Sequence, residues 1–251
     1  MRRLFADIET SPNVCLSWRV GRKISLDSDN ILVERKIVCI GYKWQGEKEA
    51  KSIVWDKGQD DRAMLEKFIP LANRADEIVA HNGDRFDIPW IKTRAIFHGL
   101  PPFPNWKTVD TLQWCRRRLY FNSNRLDYLG KYLGLGGKIK TEFNLWKDVV
   151  LDKNASALRR MAEYCRRDVE LLEKVWQRIE FAGCVKTHAG VLVNSEKWSC
   201  PHCASKTVHK NKTRVTARGS VQHQMQCGGC GKHFSISDVV FERYKAFYKR
   251  A

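Results

Sequence analysis

Leu4-Phe5-Ala6-Asp7-Ile8-Glu9-Thr10 is a short apolar run that breaks into two acids. Side chains alternate along a strand, so Asp7 and Glu9 emerge on the same face at the end of a buried strand. Two carboxylates so placed repel, and at least one pKa rises unless a cation compensates. The arrangement is costly without a ligand, although D-x-E alone also describes ordinary surface acids.

Outward from this run, residues 2–7, 36–44, 51–55 and 77–81 are apolar or β-branched, and a fifth, weaker run reaches Asp110; all five read as strands. Helical periodicity covers 60–71, 87–98, 110–119, 123–133 and 155–181. Three strands followed by strands alternating with helices predict a mixed α/β sheet with flanking helices, whose ligands sit at strand ends. Ser123 is expected to cap the helix bearing Leu126, Leu129 and Leu133, with Gly134 ending it. Gly134-Leu135-Gly136-Gly137-Lys138 is no phosphate cradle: Ile139 stands where a P-loop needs Ser or Thr, and also where the dinucleotide pattern needs its third Gly.

Two later stretches carry acids in telling places. In Ile78-Val79-Ala80-His81-Asn82-Gly83-Asp84-Arg85-Phe86-Asp87 a strand passes through Asn-Gly into a helix. Asp84 is expected to cap that helix, which frees Asp87 to face the sheet end where Asp7 and Glu9 lie; a capping role for Asp87 is the alternative. In Tyr164-Cys165-Arg166-Arg167-Asp168, Tyr164 and Asp168 share one helix face, continued by Leu171, Leu172 and Val175. An Asp on an apolar face needs a partner. A metal would supply one, and Arg167 is the weaker alternative because adjacent helical residues point apart. Asp110, before Thr111-Leu112, reads as a helix cap.

The chain has 251 residues and a net charge of +17, from 45 Lys and Arg against 28 Asp and Glu. That size accommodates one ordinary domain with a small appendage, not a complete polymerase. The charge calls for a polyanionic partner, nucleic acid first. No run of about 18 apolar residues and no leader is evident, so the expectation is a soluble, cytoplasmic protein with no membrane partner. With 43% hydrophobic residues it can bury a core. Residues 186–251 hold 12 Lys and Arg against 3 Asp and Glu, so positive charge is denser there than in the first 185 residues. The boundary is placed at 185–197, a linker between a domain over 1–184 and a terminal module over 198–251.

The three acidic stretches, in this order, resemble the sequence blocks of the DEDD, or DnaQ-like, 3′-to-5′ exonucleases, whose fold is RNase H-like. D-I-E-T at Asp7 to Thr10 resembles the first block, N-G-x-x-F-D at Asn82 to Asp87 the second, and Y-x-x-x-D at Tyr164 to Asp168 the third. Tyr in place of His is similar to the tyrosine subgroup, which includes family-B polymerase proofreading domains and the RNase D group, and D-I-E-T resembles the former more. The resemblance spans roughly residues 1–182. It implies a two-metal hydrolysis in which Asp7, Glu9, Asp87 and Asp168 hold two Mg²⁺ or Mn²⁺ ions and Tyr164 orients the attacking water. A phenol with a pKa near 10 is a poor base at neutral pH, so proton removal rests mainly on the metal. Thr10 and Asn82 lie beside these ligands and are candidate contacts to the terminal nucleotide, although Asn before Gly is also simply good turn chemistry. Arg116 to Arg118, Arg159, Arg160, Arg166 and Arg167 are candidate phosphate contacts or simply solvated charge.

Nine cysteines divide into five scattered thiols and two pairs, Cys200-Pro201-His202-Cys203 and Cys227-Gly228-Gly229-Cys230, separated by 23 residues. Four thiolates from two knuckles suit one structural Zn²⁺, and the alternation over 206–226 predicts a hairpin turning near 217–220. A small, polar module folds with help from its metal. The pattern resembles the zinc ribbons of insertion-element transposases. Lys210, Lys212 and Arg214 on the hairpin are expected phosphate contacts, and 238–250 a terminal amphipathic helix.

The sequence therefore leads to a metal-dependent 3′-to-5′ exonuclease of DNA, acting on single strands or 3′ ends in bacterial or phage replication or repair, with a zinc ribbon that aids binding. The alternatives are an RNase D-like RNA-trimming enzyme, a structure-selective endonuclease, and an idle nucleic-acid-binding adaptor.

Overall fold

The structure is a computed structural model; it describes residues 1–19, 21, 24–139 and 142–250, the last without its side chain. The chain forms two compact units, Arg2–Ile179 and a second one built from Glu180–Ala251 together with Met1. Residues 189–192, within the expected linker, form a helical turn.

In the larger unit, β1 (Arg3–Thr10), β4 (Ile37–Trp44), β5 (Lys51–Val54), β6 (Glu77–Ala80) and β7 (Thr108–Asp110) build one sheet in the order β5-β4-β1-β6-β7. β1 pairs antiparallel with β4 and parallel with β6, so the sheet is mixed, as the strand pattern predicts. The small strands β2 (Val14–Cys15) and β3 (Ile31–Val33) pair with each other outside it. β1 is central, and its apolar residues split between the two faces: Phe5 packs with Val79, Val109 and Leu172, while Leu4, Ala6 and Ile8 pack with Phe68 and Ile91. Such double burial explains why the run reads as continuously apolar.

The helices are α1 (Arg62–Ala72), α2 (Asp87–Phe97), α3 (Thr111–Arg118), α4 (Leu126–Tyr132), α5 (Phe143–Val150) and α6 (Ala155–Ile179). α6 buries one stripe, Met161, Cys165, Asp168, Val169, Leu172, Val175 and Trp176. Gly41, opposite Asp7 in the β1–β4 register, lets this helix approach. A Cβ there would stand 2.9 Å from both the carbonyl oxygen and the sulfur of Cys165.

Two capping expectations are corrected. Asp84 does not cap α2, whose N-cap is Phe86; the backbone amides of Asn82 and Asp84 instead donate to the Asp110 carboxylate, at 3.1 and 3.3 Å. Asp110 also caps α3 through the Gln113 amide, so one buried acid ties the turn after β6 to the helix after β7. Ser123 likewise gives no side-chain cap to α4, which begins after Arg125. Gly134, at φ +70°, follows the end of α4 in the left-handed conformation that favours glycine. Among the described residues, no helix is long and apolar enough to cross a membrane.

In the smaller unit, α7 (Ala189–Leu192) precedes a three-stranded antiparallel sheet of β8 (Val208–Val215), β9 (Val221–Cys227) and β10 (His233–Ser237), ordered β10-β9-β8. β8 and β9 are the expected hairpin. α8 (Asp238–Arg250) packs Phe241 and Tyr244 with Trp198, Met225 and Ile236 in a small core of its own.

Candidate functional site

The sheet brings together acids that are distant along the chain. Asp7 and Glu9 stand at the C-terminal end of β1, and Asp168 comes from the buried face of α6. Carboxylate oxygens of these three residues lie within 4.8 Å of one another. Asp87, at the first turn of α2, is buried beside this triad rather than within it, and its Oδ1 accepts from the Ile8 amide at 3.0 Å. Gly83 allows the tight turn before α2: a Cβ there would collide with that of Ala80, at 2.4 Å.

Burial and mutual repulsion set the protonation of the cluster. Desolvation, then repulsion from Asp168, lifts Asp7 from the usual carboxylate range to about 7. Desolvation, then Asp7 and Asp168, lifts Glu9 to about 9. Asp87 is likewise pushed well up by burial and by Asp7. Asp168 rises through burial, with Lys138 and Tyr164 opposing the rise. Carboxyls that hold their protons this strongly favour an added positive charge, which would restore the ionised forms.

The structure supplies one such charge. Lys138 Nζ lies 2.6 Å from Asp168 Oδ2 and 3.5 Å from the Tyr164 hydroxyl. Burial alone would lower the pKa of this lysine, but Asp168 and Asp7 more than offset it and hold the ammonium charged. Its amide is anchored by Asp127 Oδ1 at 2.8 Å. Sequence reasoning missed Lys138, because the glycine-rich segment before it was tested only as a phosphate cradle. Arg167, the weaker candidate partner for Asp168, pairs with Glu163 and Glu170 instead.

Asp168 also has a second oxygen, Oδ1, that is buried and has no hydrogen-bond partner. A carboxylate with an orphaned buried oxygen, in a cluster with two further carboxylates, is the donor set expected for a hard divalent cation. The residues present therefore fit Mg²⁺ or Mn²⁺. Tyr164 is partly buried, and desolvation and Asp168 push its phenol further up, so it keeps its proton at neutral pH. His81 beside the turn is neutral: burial lowers it to about 4, and its Nδ1 contacts Thr111 Oγ1 at 2.8 Å.

Of the expected substrate contacts, Thr10 follows Glu9 directly and its Oγ1 accepts from Arg35 at 3.2 Å. Asn82 sits at φ +70° in the turn after β6. Arg166 is tied to Glu163 and to Ser52, and Arg118 lies over Trp114, whereas Arg159 and Arg160 are exposed.

In the smaller unit the four cysteine sulfurs of Cys200, Cys203, Cys227 and Cys230 also lie within 4.8 Å of one another. Cys200 and Cys230 sulfurs are 3.7 Å apart and those of Cys203 and Cys227 3.6 Å. Zinc–sulfur bonds of about 2.3 Å in a tetrahedron give sulfur–sulfur edges of about 3.8 Å, so the set fits Zn²⁺. A disulfide bond, at about 2.05 Å, does not fit. Backbone amides of His202 and Cys230 point at the Cys200 and Cys227 sulfurs, at 3.4 and 3.5 Å. Lys210, Lys212 and Arg214 stand exposed along β8.

A family model described as the RNase H superfamily matches residues 32–180. The chain belongs to the RNase H superfamily. The matched span includes Asp87, Tyr164 and Asp168 and begins after Asp7 and Glu9. Among solved structures, the family B DNA polymerase from the hyperthermophilic archaeon Pyrobaculum calidifontis is similar, with 19% identity and a TM-score of 0.49. The similarity covers 72% of this chain and 25% of that one, so the chain spans about a quarter of that polymerase's length. No curated protein matches the sequence. Superfamily membership, the mixed five-stranded sheet and a carboxylate cluster at its strand ends together support nuclease chemistry and nucleic-acid binding.

Proposed function

We propose that this RNase H superfamily member is a metal-dependent 3′-to-5′ exonuclease of the DEDD type, tyrosine subgroup, acting on DNA. Residues 1–184 would carry the catalysis, and residues 198–251 would form a Cys₄ zinc ribbon that adds phosphate contacts through Lys210, Lys212 and Arg214. The observation that carries this reading is the convergence of Asp7, Glu9 and Asp168, with carboxylate oxygens within 4.8 Å of one another, together with a buried Asp168 oxygen that has no hydrogen-bond partner.

Asp7, Glu9, Asp87 and Asp168 would hold two Mg²⁺ or Mn²⁺ ions, which when bound supply an acidified water and stabilise charge on the departing 3′ oxygen. The protein's own groups do the rest. The buried carboxylates give up their protons to take the cations. Tyr164, still protonated, serves as a hydrogen-bond partner that orients water rather than as a base. Lys138 fixes Asp168 and reaches the Tyr164 hydroxyl, so the α6 residues are positioned from a loop outside their own helix. Exposed cations on β8 neutralise phosphates without reading bases.

The test is release of nucleotides from strands labelled at the 3′ end, compared with the same strands labelled at the 5′ end. Single-stranded DNA, duplex DNA and RNA are run in parallel with and without Mn²⁺. Mononucleotides appearing from the 3′ label, and lost in Asp87→Ala, support the reading; binding without cleavage would leave an adaptor, and preference for RNA would move the substrate class.

A further inference from the structure

The three-stranded sheet of the smaller unit has two unlike faces. Along β9, Met225 and Cys227 are buried with Phe241 of α8, and His223 stacks on the same ring at 3.9 Å. Gln222, Gln224 and Gln226 alternate with these residues and so line the opposite face. The strand register sets a polar partner on either side of each glutamine. Arg214, Lys212 and His209 stand on β8, and Ser237, Ser235 and His233 on β10, all six exposed. The outcome is three rows of hydrogen-bonding side chains with no apolar residue and no acid among them.

A bulge makes this alignment. The β8–β9 register shifts between Lys210 and Lys212, so Asn211 is the extra residue. Lys210 therefore stays on the helix side, its ammonium 5.3 Å from the centre of the Phe241 ring, while Lys212 and Arg214 join the glutamine face. Two of the amides are oriented by neighbours: His209 Nε2 donates to Gln226 Oε1 at 3.2 Å, and Asn211 Nδ2 to Gln224 Oε1 at 3.4 Å.

Charge and shape select the partner. The three acids of residues 186–251, Glu196, Asp238 and Glu242, all lie outside the strands, so the face is acid-free and carries Lys212 and Arg214. Amides beside cations match an anionic surface that also offers hydrogen-bonding edges, as duplex DNA does in its major groove. That groove is about 12 Å wide and admits a β-ribbon, whereas the major groove of A-form RNA is too narrow for side chains to read. The face holds no Phe, Tyr or Trp, and so lacks the stacking platform typical of single-strand binders. From Gln222 to Gln226 the strand rises about 14 Å, the length of about four base pairs.

We propose that this face reads duplex DNA: Gln222, Gln224 and Gln226 hydrogen-bond to base edges in the major groove, and Lys212 and Arg214 flank them on the phosphates. Adenine is the preferred partner, because a glutamine amide pairs with its N6 and N7 together. Base reading of this kind rests on the nucleic-acid contact proposed for the ribbon and goes beyond it; the nuclease reading does not enter.

The test is selection by the full, zinc-loaded chain from a randomised duplex library without added Mg²⁺ or Mn²⁺, followed by fluorescence anisotropy on the enriched duplex and a scrambled one. The wild type should enrich a site of about four base pairs that contains adenine. Gln224→Ala should cut the ratio of enriched to scrambled affinity about tenfold, the scale of one bidentate base contact, and leave the scrambled duplex bound as before. Lys212→Ala should weaken both duplexes alike and lower the salt slope by about one phosphate contact. Thermal melting and zinc content establish that each variant is folded, and Gln222→Ala, at an exposed position, repeats the measurement if Gln224→Ala melts early. An unchanged ratio in the glutamine variants, or tighter binding of single strands or RNA than of the enriched duplex, overturns base reading. Absence of any enriched site also overturns it: with a lowered salt slope in Lys212→Ala the ribbon remains a phosphate binder, and with an unchanged slope that role falls as well.

Discussion

The two clusters of this chain that could hold metal are built on opposite principles. The carboxylates are carried by a large hydrophobic framework: β1 and α6 are fixed by buried side chains such as Phe5, Leu172 and Val175, and the acids ride on them at an electrostatic cost. The cysteines sit in a unit with a core of few residues, of which Cys200 and Cys227 are themselves members. A fold that tolerates unfavourable charges has stability to spare for function, whereas a small module depends on its metal for structure.

The largest effect expected from this contrast is on zinc removal. A strong chelator, or Cys227→Ser, should unfold the smaller unit, since structural zinc sites contribute on the order of 10 kcal/mol to folding. Amide exchange should show loss of protection in β8 to β10 while β1, β4 and β6 stay protected. Equal loss in both units would erase the distinction drawn here.

A smaller but substantial effect is expected at Gly41→Val. The new side chain meets the Cys165 backbone oxygen at 2.9 Å, which a rotamer change cannot relieve, so α6 must move from the sheet. Denaturant melting should show a loss of about 1–3 kcal/mol in the larger unit. The same variant should bind Mn²⁺ more weakly, because Asp168 moves with the helix.

Lys138→Met sharpens the electrostatic side of the comparison. Without its ammonium the carboxylates should favour an added divalent cation more, so Mn²⁺ should bind more tightly by calorimetry while the protein without added Mn²⁺ melts lower. The sign with pH follows from Asp7 and Glu9, whose folded pKa values are raised to about 7 and about 9. Such groups take up protons on folding, so their contribution to stability falls as pH rises through that window. The melting penalty of Lys138→Met should therefore be larger at pH 9 than at pH 5. A penalty that shrinks as pH rises would contradict the assignment.

The smallest effect on structure is expected for Tyr164→Phe. Loss of one positioned hydroxyl should slow hydrolysis by about tenfold or somewhat more, as for a single lost hydrogen bond, with Mn²⁺ affinity nearly unchanged. A large fall in metal affinity would give the phenol a different task.

Much of this was legible in the sequence, and the reasons for the rest are physical. β1, β4 and α6 carry long apolar patterns and the shorter β5, β6 and β7 carry apolar or β-branched runs, so their placement followed from the sequence pattern, and Asp168 stood out as an acid within a buried stripe. α5 was missed: it is eight residues long, lacks a side-chain cap and follows a glycine-rich stretch. β2 and β3, of two and three residues, are too short to establish an alternation. Lys138 could not be found from spacing, since its meaning lies in a contact with Asp168 across 30 residues that only the tertiary fold creates. The misassigned caps at Asp84 and Ser123 share one cause. A capping residue type was present in each case, but Asp110 took over the turn amides at the first and α4 began three residues after the second, with Arg125 at its N-cap.

The central claim is that Asp7, Glu9 and Asp168 form a divalent-cation site that hydrolyses nucleic acid from the 3′ end. Mn²⁺ titration followed by electron paramagnetic resonance, paired with nucleotide release from a 3′-labelled single strand, tests it most directly in the wild type and Asp168→Ala. The account predicts bound Mn²⁺ and stepwise release from the 3′ label in the wild type, with both lost in the variant. Full release by Asp168→Ala, or no Mn²⁺ bound by the wild type, would contradict it.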